Sequence, residues 1–297
     1  MLINEKDPHW VFSIPHKNKK TIASVIDFLD KNQQYFYFDE KVLYFLYKAA
    51  YLTDINLLNE AECFLIRASE MTENKKYLSL IYAQLGMVYT KNNKTDLAIK
   101  YYIDAKTIFD SNMNYVRSLY ICSNIAIAYI YSEAYKEAIH ACEECMSIAK
   151  RLGMNKIIMI SAYNLSYIYM LIGEYEKVNT HVLVSLQNGE PENGIYFHSA
   201  YAYYKLGMVD SCKYWIEEGR SKLLKTENLM SYSYDYLESQ LEQSYGKSID
   251  ILKNIIGAKD FDESFDEQDR RFFVKELMEV CKTTKRFDLM SEYYLEL

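Results

Sequence analysis

Apolar and polar residues follow a helical period along this chain. Ile121, Ile125, Ala128 and Tyr129 fall on one stripe at i, i+4, i+7 and i+8, the spacing that collects side chains on one face of an α-helix. Similar runs, separated by short breaks, predict a leading helix near 20–34. Pairs of helices are then predicted near 41–54 and 58–71, 77–92 and 95–110, 116–132 and 135–151, and 157–172 and 175–187. Three more pairs follow, near 194–205 and 209–224, 228–243 and 246–257, and 268–283 and 286–296. With only 9 Gly and 3 Pro in 297 residues, a sheet-rich fold with many tight turns is disfavoured. The predicted class is all-α.

The pairs share an internal pattern. The run Leu85-Gly86-Met87-Val88-Tyr89, then Ala98, Tyr102 and Ala105, recurs with wear along most of the chain. Small or short side chains anchor successive units at Ala61, Ala98, Ala138, Val178, Cys212, Ser248 and Met290. The steps between them are 37, 40, 40, 34, 36 and 42 residues. Small residues belong where two helices cross, because a larger side chain holds the backbones apart. One hairpin cannot bury its apolar face alone, so neighbours must stack into a continuous core.

This pattern resembles the tetratricopeptide repeat over roughly residues 42–297, most clearly in units two to four. The resemblance implies a right-handed α-solenoid of about six to seven helical hairpins. Units near 40 residues carry about six more than that repeat, or roughly 9 Å of extra helix. The family's proline near the end of the second helix is approximated only by Pro191. The expected organisation is an N-terminal extension over 1–40 with the leading helix, then an array over 41–297. Candidate joints are the turn-former cluster Gln187–Gly194 and the acidic stretch Lys259–Glu267.

Charge and composition narrow the function. A net charge of −7 disfavours a nucleic-acid surface, which needs clustered Lys and Arg. The run Lys17-Asn18-Lys19-Lys20 is a lone basic cluster and reads as a solvated helix start. No signal-peptide pattern and no apolar run of about 20 residues is present, so a cytoplasmic protein without a membrane span is expected. The six cysteines are scattered at hairpin-core positions, as small hydrophobes would be.

Catalytic and metal-binding motifs are missing. Cys142-Glu143-Glu144-Cys145 has redox or half-zinc spacing, but it lies mid-helix and no second ligand pair accompanies it. His9, His16, His140, His181 and His198 are not spaced as ligands. No phosphate-binding glycine loop or nucleophile elbow occurs. The expectation is a non-enzyme that needs no cofactor.

First helices of such arrays line a concave groove. The repeat frame turns Tyr120, Asn124 and Tyr131 of unit three inward, with Tyr163, Asn164 and Tyr167 of unit four. Unit five contributes Phe197, His198, Tyr201 and Tyr204, and unit six Tyr234. Unit two presents Leu80, Ala83, Gln84 and Met87. Asn side chains at one repeat position can bond both the N–H and the C=O of a peptide unit. Tyrosines add apolar area with a polar tip. The scarcity of Lys and Arg in this set argues against a groove for acidic chain ends.

The long units, the second-helix end Ser147–Met154 and the groove Asn residues resemble the Gram-positive peptide-pheromone receptors of the Rap, NprR, PlcR, PrgX and Rgg group. The resemblance implies a short signalling peptide as ligand, with Asn124 and Asn164 gripping its backbone. Most members of that group place a DNA-binding helix-turn-helix before the array, and Rap members a helical bundle. Residues 1–40 are too short for either, so the chain is expected to be the sensor part of a transcriptional regulator or a stand-alone array. The alternative is a generic scaffold that holds a protein segment. An apolar final helix, with Phe287, Leu289, Met290, Tyr293, Tyr294 and Leu297, makes a homodimer a further expectation.

Overall fold

The computed structural model describes residues 19–223, 228–258 and 267–293. Among them are fifteen α-helices, a 3-10 turn at Gln33–Tyr35, and no strand. The helices are α1 (Lys19–Asn32), α2 (Phe38–Asp54), α3 (Leu58–Met71), α4 (Lys75–Lys91), α5 (Thr95–Ser111), α6 (Tyr115–Tyr131), α7 (Tyr135–Leu152) and α8 (Asn155–Leu171). They continue as α9 (Tyr175–Asn188), α10 (Gly194–Lys205), α11 (Val209–Lys222), α12 (Asn228–Leu241), α13 (Tyr245–Ile256), α14 (Glu267–Thr283) and α15 (Phe287–Tyr293). The fold is an all-α solenoid of tetratricopeptide-like hairpins. Predicted and observed helix ends agree within three residues throughout the array, except that the end predicted at 296 lies outside the described residues. Lys17 and Asn18, residues 259–266 of the acidic joint, and Tyr294–Leu297 lie outside the described residues. At the other candidate joint the helix breaks after Asn188 and resumes at Gly194.

Each hairpin turns in the same way. A residue with positive φ follows the first helix, at Asn56, Asn93, Glu133, Gly173, Gly207, Gln243 and Lys285. The next N–H then bonds a carbonyl five residues back, as in Leu57 to Leu52, Lys94 to Tyr89 and Met208 to Tyr203, at 2.8–2.9 Å. This is the Schellman closure, which satisfies helix-end carbonyls otherwise left without a partner. At the opposite ends, Asn74 caps α4 and Asn114 caps α6 through side-chain oxygens.

The chain divides into two compact units, Met1–Ala141 and Cys142–Leu297. In the first, the small anchors Ala61, Ala98 and Ala138 are fully buried. Gly86 shows why α4 and α5 need small residues at their crossing: a Cβ there would stand 2.5 Å from the Tyr102 ring. In the second, Val178, Cys212 and Ser248 take the same buried places. Gly219 on α11 lies under Tyr234 of α12, where a Cβ would fall 2.0 Å from the phenol oxygen. Leu289 of α15 is buried, whereas Phe287 is exposed.

Candidate functional site

Counting nine residues back from each left-handed turn residue gives the equivalent position on every first helix. The column reads Tyr47, Gln84, Asn124, Asn164, His198, Tyr234 and Glu276. Asn124 and Asn164 are thus structural equivalents, and the column extends beyond them to Gln84 and His198. Four successive hairpins carry an amide or an imidazole there, groups that can both donate and accept hydrogen bonds.

In the first unit, Gln84 is 3% exposed and neither atom of its amide has a hydrogen-bond partner. Asn124, Tyr120 and Tyr131 are half-buried. Leaving a buried amide unmatched costs about 1–3 kcal/mol, so Gln84 is a place where water or a ligand gains by entering.

In the second unit, Asn164 is 7% exposed and its Nδ2 has no acceptor. Tyr163 and Tyr167, half-buried neighbours on α8, both pack against the imidazole of His198. Their ring centroids lie 5.1 and 5.4 Å from it. His198 is 3% exposed and burial depresses its pKa to about 3, so the ring is neutral at any physiological pH. Its Nδ1 lies 2.8 Å from Ser166 Oγ, and Ser166 donates its single proton to the Tyr163 carbonyl at 2.7 Å. Nδ1 therefore carries the imidazole proton, and Nε2 is left as an acceptor. Tyr163 and Tyr167 of α8 and His198 of α10, all in the set read from the repeat frame, are thus brought into contact.

The remaining residues of the predicted set in this unit are covered by its own side chains. Phe197 and Tyr201 are 5% and 3% exposed. Phe272 and Phe273 of α14 stand 6.1 and 5.8 Å from the Phe197 ring, and Phe272 stands 5.1 Å from Tyr201. Tyr234 is fully buried and donates to Asn193 Oδ1 at 2.8 Å, while Asn193 Nδ2 donates to the Gly219 carbonyl. Tyr204 is half-buried and donates to Gln240 Oε1 at 3.0 Å.

Below these rings lies a buried carboxylate. Glu276 of α14 is 6% exposed and accepts from Tyr201 and Tyr236, each at 2.6 Å. Lys205 Nζ approaches it at 3.4 Å. Burial, then the neighbouring carboxylate, pushes both phenols well above their ordinary pKa. The sequence reading missed Glu276, Tyr236 and Lys205. The turn register finds Glu276, the seventh member of the column; Lys205, at the very end of α10, carries no pattern that marks it.

The CxxC pair belongs to the core. Cys142 and Cys145 are buried, and burial raises the Cys142 thiol. Among the described residues, no group of three or more His, Cys, Asp or Glu is placed to hold a metal ion, and no helix is long and apolar enough to cross a membrane.

Comparison with known proteins agrees with this architecture. The tetratricopeptide repeat family matches residues 80–112. No curated protein matches significantly. Several solved structures share the fold. The apo form of the quorum sensor NprR from B. thuringiensis has a TM-score of 0.73 at 19% identity, covering 95% of this chain and 82% of that one. The apo form of RapI gives 0.69 at 18%, covering 94% and 78%. NprR in complex with its cognate peptide NprX gives 0.66 at 18%, covering 93% and 80%. One segment of the chain thus matches a tetratricopeptide repeat, and the hairpins around it stack in the same fold. Its fold resembles that of NprR and RapI.

Proposed function

We propose that this chain is a cytoplasmic peptide-binding sensor of the quorum-sensing type, acting within or on a transcriptional regulator and performing no chemistry of its own. The observation that carries the reading is the buried Nδ2 of Asn164, left without an acceptor beside the Tyr163–His198–Tyr167 stack. A peptide carbonyl satisfies that donor, a peptide N–H suits His198 Nε2, and the tyrosine rings receive an apolar side chain. The likeness in fold to NprR, solved with a cognate peptide, supports the same reading. Asn124, with Tyr120 and Tyr131, is the corresponding set in the first unit.

The test is titration of the protein and of Asn164→Ala with peptides recovered from a random linear-heptapeptide library. Loss of one desolvated amide contact costs about 1–3 kcal/mol, or roughly ten- to hundredfold in affinity. Unchanged affinity with intact helicity removes Asn164 from the site. A second reading, a protein-binding scaffold, is favoured by exposed apolar side chains on second helices, among them Leu97, Ile103, Leu183 and Tyr214. Selective loss of partner binding on Ile103→Asp would favour it. For the expected homodimer, exposed Phe287 is the proposed contact. Sedimentation showing only monomer at micromolar concentration refutes that part.

A further inference from the structure

In a stack of repeats, each hairpin contacts its neighbours. The second unit departs from that rule. Helices α10 and α14 belong to hairpins separated by a whole hairpin, yet their side chains meet. Phe272, Phe273 and Glu276 project from consecutive turns of α14 onto Phe197, Tyr201 and Lys205 of α10. The same residues reach Tyr236 of α12, through Glu276 at 2.6 Å and Phe273 at a centroid distance of 6.3 Å.

We propose that α14 is a strap over the aromatic face of α10, fastened at Glu276, and that a ligand reaches Phe197 and Tyr201 only when the strap lifts. The proposal rests on the peptide-binding reading above and says how that site is closed. Two features make α14 suited to lifting. Its contact with α10 lies outside the neighbour-to-neighbour packing that builds the stack, so losing it leaves α8 and α9 supported. Its polar fastening is also concentrated in one group, beside the apolar contacts of Phe272 and Phe273. Glu276 accepts hydrogen bonds from two phenols and pairs with an ammonium, and a carboxylate this buried is tolerated only while such donors surround it. Asn164, at the equivalent position on α8, has an unused donor instead.

Lifting also defines what takes the place of α14. Tyr201 and Tyr236 would each lose the acceptor of a hydroxyl proton, and Lys205 its counter-charge. Lys205, outside the set read from the sequence, supplies the positive charge which that set lacks, so a peptide bearing an acidic side chain or its own terminal carboxylate, next to a large apolar residue, restores all three and refills the space of Phe272. Glu276 is in this sense an internal competitor for such a peptide.

Hydrogen exchange followed by mass spectrometry on the full chain and on Glu276→Leu tests the strap. Loss of hydrogen bonds to a charged acceptor should speed exchange of residues 268–283 by at least about tenfold, with α8 and α9 unchanged. If α8 and α9 accelerate in step with α14, Glu276 is ordinary core and the strap is refuted; no change in α14 refutes it too. Should the variant not fold, the unaltered chain decides in mild denaturant: α14 exchanging ahead of α8 and α9 supports the strap, and exchange in step overturns it. Phage-displayed random heptapeptides supply the ligand arm. Glu276→Leu should retain more phage than the parent, enriched in Asp and Glu. A loosened α14 with no peptide retained from the library overturns the peptide reading and leaves the strap standing. Enriched acidic peptides with an unaltered α14 do the reverse.

Discussion

Acidification should destabilise this protein through His198, and the size of the effect can be worked out. In the fold the imidazole packs against Tyr163 and Tyr167, with Nδ1 on Ser166. Burial alone depresses its pKa from 6.5 to about 3. The unfolded chain therefore binds a proton below pH 6.5 that the folded chain refuses until near pH 3. Since the unfolded state holds more protons, stability is complete above pH 6.5 and falls as pH falls towards 3. Each unit is worth about 1.4 kcal/mol, so two units of acidification cost about 3 kcal/mol at pH 4.5. His181 shifts in the same direction, from burial and then the nearby Lys150 and Lys177, so the wild-type slope alone is not diagnostic. The assay is urea denaturation from pH 7.5 to 4.5 on the parent and on His198→Gln, which keeps a polar group near Ser166 but does not titrate. The difference between the two should shrink or reverse by about 3 kcal/mol across that range. Parallel pH profiles would refute the buried, neutral imidazole.

Packing and thiol chemistry give further checks. Ala98→Leu and Ala138→Leu should each destabilise by about 1–3 kcal/mol through overpacking at fully buried hairpin crossings, and unchanged thermal midpoints would mean the repeat frame is misplaced. Gly86→Ala should cost a similar amount, because its Cβ meets a Tyr102 ring that is 2% exposed and has nowhere to swing; a neutral result in denaturant melts would contradict this. With a thiol-reactive chromophore at pH 8, exposed Cys63 should react in the native protein and buried Cys142 only on unfolding; equal native rates would contradict the burial that raises the Cys142 thiol.

The sequence held the helices and their frame in plain view because both are local properties. A stripe such as Ile121, Ile125, Ala128 and Tyr129 fixes one face of a helix, and a small residue such as Ala98 fixes where two helices cross. Asn164, His198 and their tyrosine neighbours were legible for the same reason, since one register projects them from corresponding turns. Covering of Phe197 and Tyr201 by α14 was not. It depends on two helices about 75 residues apart, whose meeting is set by accumulated packing and not by any repeat motif. The buried carboxylate of Glu276 was hidden further, because the last repeat departs most from the pattern. On a surface-exposed helix face, a Glu reads as solvated. Only the hydroxyls of Tyr201 and Tyr236, brought from other hairpins, make it an interior group.

The hairpin turns leave room for improvement in thermal tolerance. Seven turns place a residue in the left-handed region, yet glycine occupies only two of them, Gly173 and Gly207. Asn56 and Asn93 tolerate that geometry, but Glu133, Gln243 and Lys285 carry a Cβ that opposes it, as does Met113 between α5 and α6. Strain of this kind costs about 1 kcal/mol or more at each site. Because Met113 is 75% exposed, replacing it by glycine relaxes the backbone without opening a cavity. The gain is partly offset by the greater freedom glycine gives the unfolded chain. Turns of this kind can be tuned one at a time, so the melting temperature of the array can be adjusted without altering any residue of the proposed ligand-binding face.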